Sequence, residues 1–170
     1  VKDLIVLTDS GDTFIDESSQ VFDERGIVLD ASFVPHGEET LKRLVDLGYT
    51  VSLVADGETE SFENVFMKHG FWDVFKTRTI SQEVGIQKPA RQMFDDAFNK
   101  LGLTEADKPR VVMVGNNLRK DVLGANSYGI ISIWVKWSPR YFHEVRGPEE
   151  QPTYSIDTID QLPDLLESLH

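Results

Sequence analysis

Asp9 comes directly out of the apolar run "LIVLT" and opens the turn Asp9-Ser10-Gly11-Asp12-Thr13. Ala55-Asp56-Gly57 ends a second apolar run, and Lys88-Pro89 sits in the loop ahead of an amphipathic stretch. Gly115-Asn116-Asn117 ends "RVVMVG", with Asp121 shortly after it. Carboxylate, amide and carbonyl oxygens suit a hard cation such as Mg²⁺. A lysine beside them offsets the charge of a phosphate or of a nucleophilic carboxylate. These residues are far apart in sequence, so the chemistry depends on what brings them together.

Hydrophobic periodicity supplies that frame. "DLIVLT", "YTVSLVA", "VFKTRTI", "RVVMVG", "IISIWV" and "YSI" read as strands, being short apolar runs rich in β-branched residues. Between them, helices are expected over Gly37–Leu47, Glu58–His69, Ala90–Leu101, Leu118–Tyr128 and Asp160–Leu169. Gly48, Gly70 and Gly129 mark three of their ends. "QVFDERGIVLD" predicts a small hairpin around a Gly-containing turn. Strands alternating with helices imply a parallel sheet covered on both faces, in which ligands bind beyond the carboxyl ends of the strands. Each of the residues named above falls at such an end.

The order of these segments resembles the haloacid dehalogenase-like (HAD) hydrolase superfamily over nearly the whole chain. "LIVLTDSGDT" is similar to its first motif, with Asp9 in the place of the nucleophile and Thr13 matching the motif's threonine. "YTVSLVADG" stands where the second motif falls, and "SQEVGIQKPARQMF" where the third does, with Lys88 as its lysine. "VVMVGNNLRKDVLGANSYGIISIWV" resembles the fourth motif and the strand after it. The resemblance implies an α/β fold: a Rossmann-like three-layer sandwich, mostly parallel, with a small β-hairpin flap at about residues 19–33. The length suggests one domain over 1–170, and the short spacing from Asp9 to Ala55 and from Ala55 to Lys88 leaves no room for the separate cap domain that many members carry. Asp9 would form an aspartyl-phosphate. Mg²⁺ would be held by Asp9, the carbonyl of Gly11, Asn116 and Asp121, with Lys88 neutralising developing charge.

The sequence departs from the family pattern at three positions. Gly11 stands where the general acid normally lies, two residues after the nucleophile. Asp12 is the candidate substitute, although a shift of one residue along a turn points its side chain elsewhere. Ala55 replaces the Ser or Thr that hydrogen-bonds the phosphoryl group, and Asp56 and Gly57 follow it as candidate substrate contacts. Asn116 replaces the first acid of the fourth motif, so metal affinity should fall. Arg140 and Tyr141, in the loop "WSPRYF" after a strand, are candidates for the entrance.

Composition bounds the rest. The 170 residues carry a formal net charge of −12, which argues against a nucleic-acid partner. No apolar run is long enough for a membrane span, and no signal-peptide pattern leads the chain. The chain has no cysteine, which excludes disulfides and thiolate chemistry and makes the cytoplasm the expected location. His36, His69, His143 and His170 are too scattered for a zinc site. The expected activity is a Mg²⁺-dependent phosphatase, slow for want of the acid, acting on a phosphorylated substrate in an open site. A neighbouring subunit of a homo-oligomer could enclose a small substrate. The alternative is a non-catalytic module binding a phosphorylated ligand or a protein. A phospho-acceptor signalling domain is a third reading.

Overall fold

A computed structural model describes residues 2–169, so His170 lies outside the described residues. Strands β1 (Ile5–Thr8), β4 (Thr50–Ala55), β5 (Arg78–Ile80), β6 (Val111–Gly115), β7 (Ile131–Val135) and β8 (Tyr154–Ile156) form a six-stranded sheet ordered β5-β4-β1-β6-β7-β8. Every pairing in it is parallel. A separate antiparallel hairpin, β2 (Val21–Phe22) and β3 (Val28–Asp30), follows β1. The helices are α1 (Gly37–Asp46), α2 (Thr59–Lys68), α3 (Ser81–Val84), α4 (Arg91–Leu101), α5 (Leu123–Tyr128) and α6 (Leu162–Ser168).

Side-chain alternation along the central strands makes the two cores. Val6, Val112 and Val114 point to one face, packed with Leu41, Leu44, Phe66, Leu162 and Leu166 of α1, α2 and α6. Ile5, Leu7, Val111 and Met113 point to the other, against Met93, Phe94, Phe98 and Tyr128 of α4 and α5. Burial on both faces explains why β1 and β6 read as unbroken apolar runs. The Rossmann-like three-layer architecture is thus present.

The boundaries shift in two informative places. Trp72–Val74 winds into a 3₁₀ turn, so the strand expected from "VFKTRTI" shrinks to Arg78–Ile80. The helix expected over Leu118–Tyr128 opens with a π-helical turn, Leu118–Val122, because the Asn117 carbonyl accepts from the N–H groups of both Asp121 and Val122. Among the described residues no helix is long and apolar enough to cross a membrane.

The chain leaves β1 for β4 and β5 on one side and later returns to β6, β7 and β8 on the other. The strand order therefore reverses at β1, and a crevice opens beyond its carboxyl end. Asp9 sits at the mouth of that crevice.

Candidate active site

Asp9 follows β1 and continues its ladder, donating from its N–H to Val114 O at 2.9 Å. Lys88 reaches it from the loop before α4, with Nζ 3.0 Å from Asp9 Oδ1, 2.7 Å from Asp121 Oδ1 and 2.7 Å from Val54 O. Those oxygens take all three hydrogens of an ammonium that is 2% exposed. Burial works against its charge, but the Asp121 and Asp9 carboxylates outweigh it and raise the lysine pKa. Asp56, at the end of β4, accepts from Lys88 N at 3.0 Å through Oδ1 and pairs with Lys120 Nζ at 3.3 Å through Oδ2. It therefore anchors the lysine loop as well as lining the cleft.

The π-helical turn carries the Asp121 side chain back under β6. Its Oδ2 accepts from Asn117 N at 3.1 Å while Oδ1 holds Lys88. A Cβ on Gly115 would lie 2.2 Å from Asp121 Oδ2, so glycine is what lets the carboxylate approach the strand. Asp121 thus faces the lysine with one oxygen and the backbone with the other.

The remaining oxygen of Asp9 turns toward Asn116 and Gly11. The end of the Asn116 amide lies 3.1 Å from both Asp9 Oδ2 and Gly11 O. Nitrogen inward, the amide donates to both. Oxygen inward, a carboxylate, an amide and a carbonyl oxygen converge on one point. That set fits Mg²⁺, which takes few protein oxygens and keeps several waters. Among the described residues no group of three or more His, Cys, Asp and Glu side chains is placed to hold a metal, so the amide and the carbonyl are essential to the set. Charge points the same way. Burial, with the Asp121 charge adding to it and Lys88 opposing, pushes the Asp9 carboxyl up to about 7. A divalent cation would supply the positive charge that keeps it ionised.

Three residues singled out from sequence lie elsewhere. Asp12, the candidate substitute acid, is fully buried with φ 52° and does not face the cleft. Its oxygens accept from Arg140 Nη2 at 2.6 Å, Arg140 Nε at 2.7 Å, Ser138 Oγ at 2.6 Å and Glu17 N at 2.9 Å. Arg140 is committed to that pair and to Asp16 at 3.2 Å, so it ties the loop after β7 to the turn after β1 instead of reaching a substrate. Ala55 is 1% exposed beneath the floor, while Asp56 and Gly57 line the cleft.

The cleft encloses about 350 Å³ and runs from Asp9 and Lys88 toward Phe22 and Val28 of the hairpin and Phe62 of α2. Tyr141 lines it, as the loop position suggested, and its hydroxyl donates to Glu17 Oε2 at 2.7 Å. Glu17 is the residue that sequence reasoning missed. It lies in a short 3₁₀ turn, Glu17–Ser19, capped by Asp16, and its only signal was an acid soon after the first motif. Burial raises its carboxyl above the usual range.

Fold and site together define a parallel α/β protein with a lysine-bridged aspartate pair at the sheet's switch point. A family model described as HAD-hydrolase-like matches residues 85–162. The chain is 28% identical over 130 residues to the glyceraldehyde 3-phosphate phosphatase of Methanopyrus kandleri, covering 76% of this chain and 54% of that protein. It is 29% identical over 117 residues to the pyrimidine 5'-nucleotidase YjjG of Escherichia coli, covering 68% and 49%. The chain spans about half the length of these curated relatives. Its fold is similar to that of a HAD phosphatase from Thermococcus onnurineus, with a TM-score of 0.75 and 20% identity over 96% of this chain and 97% of that one. The family-model match and these relatives support the HAD-like hydrolase superfamily for this chain, and the solved structure shows the shared fold.

Proposed function

We propose that this protein is a phosphatase that works through an aspartyl-phosphate on Asp9, with Mg²⁺ as its cofactor. The observation that carries the reading is the Asp9–Lys88–Asp121 arrangement, with Asp9 at the open end of the cleft. An oxygen of Asp9 attacks phosphorus, the bond to the leaving oxygen breaks, and water then hydrolyses the acyl phosphate to restore the carboxylate. Lys88 holds Asp9 in place and balances charge building on the phosphoryl oxygens, with Asp121 fixing the lysine. Lys120, at the rim and 3.3 Å from Asp56, adds a cation on the phosphate's approach. Asp9, Gly11 O and Asn116 would hold Mg²⁺, whose contribution is Lewis-acid stabilisation of the phosphoryl oxygens. Asp121 supports that site through Lys88, since both of its oxygens already have partners.

The β2–β3 hairpin is the flap over an otherwise open cleft, with no cap domain inserted between the elements of the described residues. The volume suits a small phosphorylated metabolite, the class named for the two relatives above.

The test is hydrolysis of acetyl phosphate, 4-nitrophenyl phosphate and a panel of sugar phosphates and nucleotides, with and without Mg²⁺. Turnover should require Mg²⁺ and fall at least a hundredfold in Asp9→Asn. No turnover of any compound, together with phosphate-ester binding that survives Asp9→Asn, would replace this reading with a non-catalytic binding module. A long-lived phosphoryl group on Asp9 after treatment with acetyl phosphate would point to a phospho-acceptor instead.

A further inference from the structure

Gly11 poses a question that its backbone does not answer. Its φ lies outside the left-handed range that favours glycine, so nothing in the turn demands a missing side chain. The obstacle is a neighbour. A Cβ built on Gly11 would lie 2.2 Å from Glu17 Oε1 and 2.9 Å from its carboxyl carbon. The Glu17 carboxyl therefore fills the space that an acid two residues after the nucleophile would occupy.

The surroundings hold it there. Oε2 accepts from Tyr141 at 2.7 Å, which leaves Oε1 as the oxygen beside Gly11. Arg140 Nε is 4.0 Å from Oε2, but its strong bonds go to Asp12. Asp12 also accepts from the backbone N–H of Glu17, so the pairing of buried Asp12 with the partly exposed Arg140 fixes the turn from which Glu17 projects. Glu17 and Tyr141 both line the cleft, together with Asp9 and Lys88.

We propose that Glu17 is the general acid–base of this site, replacing in space the side chain that Gly11 lacks in sequence. This deepens the phosphatase reading and rests on it. As Asp9 attacks phosphorus and the bond to the leaving oxygen breaks, the Glu17 carboxyl gives its proton to that oxygen. In the second half-reaction the Glu17 carboxylate takes a proton from the attacking water. The bond between phosphorus and the Asp9 oxygen breaks, releasing inorganic phosphate and restoring Asp9. Tyr141 is a positioning residue that orients the carboxyl.

Leaving-group dependence combined with a rescue tests this. Glu17→Ala and Glu17→Gln should lower kcat/KM for an alkyl phosphate such as glycerol 1-phosphate by about 10²-fold or more, the range of a lost general acid. The loss on acetyl phosphate, whose leaving group needs no proton, should be at least tenfold smaller. Gly11→Asp alone should be impaired, because the new side chain collides with Glu17. The double variant Gly11→Asp/Glu17→Ala should recover most of the alkyl-phosphate rate, since the space is free and the acid returns from position 11. Glu17→Gln keeps the shape and the Tyr141 contact, and its thermal melt controls for folding.

Equal losses on both substrates, or no recovery in a folded double variant, would overturn the role of Glu17 while leaving the phosphatase standing. Wild-type hydrolysis of acetyl phosphate without that of any alkyl phosphate would do the same. Absence of Asp9-dependent hydrolysis of either class would overturn the phosphatase reading, and this inference with it.

Discussion

Lys88 directs its buried ammonium at two carboxylates and one backbone carbonyl, which come from the turn after β1, the last residues of β4 and the π-helical turn after β6. Position 116 is the least charged corner of the same cluster. An aspartate there would add an anion 3.1 Å from Asp9 Oδ2 and Gly11 O, the oxygens that face the proposed cation. Without metal, Asn116→Asp should melt at a lower temperature than wild type, because a further buried charge goes uncompensated. With Mg²⁺ it should gain more in melting temperature, and calorimetric titration should show a Kd lower by about tenfold, since ligand charge tunes affinity for hard cations. An unchanged Kd would remove residue 116 from the cation site.

At the scale of elements, the loop after β7 is joined to the turn after β1 by the Arg140–Asp12 pair and by the Tyr141–Glu17 bond. Arg140 grips Asp12 through two nitrogens, and Ser138 adds a third bond. Arg140→Ala would leave Asp12 fully buried without its cation. The expected cost is about 2 kcal/mol in urea unfolding, below that of a wholly buried pair because the guanidinium is partly exposed. The same change should speed amide exchange in residues 138–141 and loosen Tyr141 from Glu17. A stability change below about 0.5 kcal/mol would show that the junction is dispensable. The hairpin and the helices around the cleft were legible in sequence because each follows from local periodicity. The π-helical turn at Leu118 was not, since it arises from one extra residue drawn in so that Asp121 can reach Lys88.

Over the whole molecule, one sheet supports two cores, and Phe94 is fully buried in the one beneath α4 and α5. It stacks on Tyr128 with ring centroids 5.4 Å apart. Phe94→Ala should cost about 3–5 kcal/mol. Far-UV dichroism and tryptophan fluorescence should nonetheless report one shared, lower melting transition, because β1 and β6 contribute side chains to both cores. Separate transitions for the two probes would mean that the faces unfold independently.

By itself the sequence determined the layers, the parallel sheet and which residues would stand at its open edge. Apolar runs and helical spacing are short-range signals, and the strand order that gathers Asp9, Asp56, Lys88 and Asn116 follows from covering both faces of one sheet. It also marked position 11 as the place without an acid. Only the tertiary structure decided what occupies that place. Asp12, adjacent in sequence, is turned away by a left-handed backbone into an ion pair with Arg140. Glu17, six positions from Gly11, is brought back beside it by the turn at Asp16 and the hydroxyl of Tyr141. Side-chain direction in an irregular turn depends on contacts made by distant loops, and no periodicity in the chain encodes those contacts.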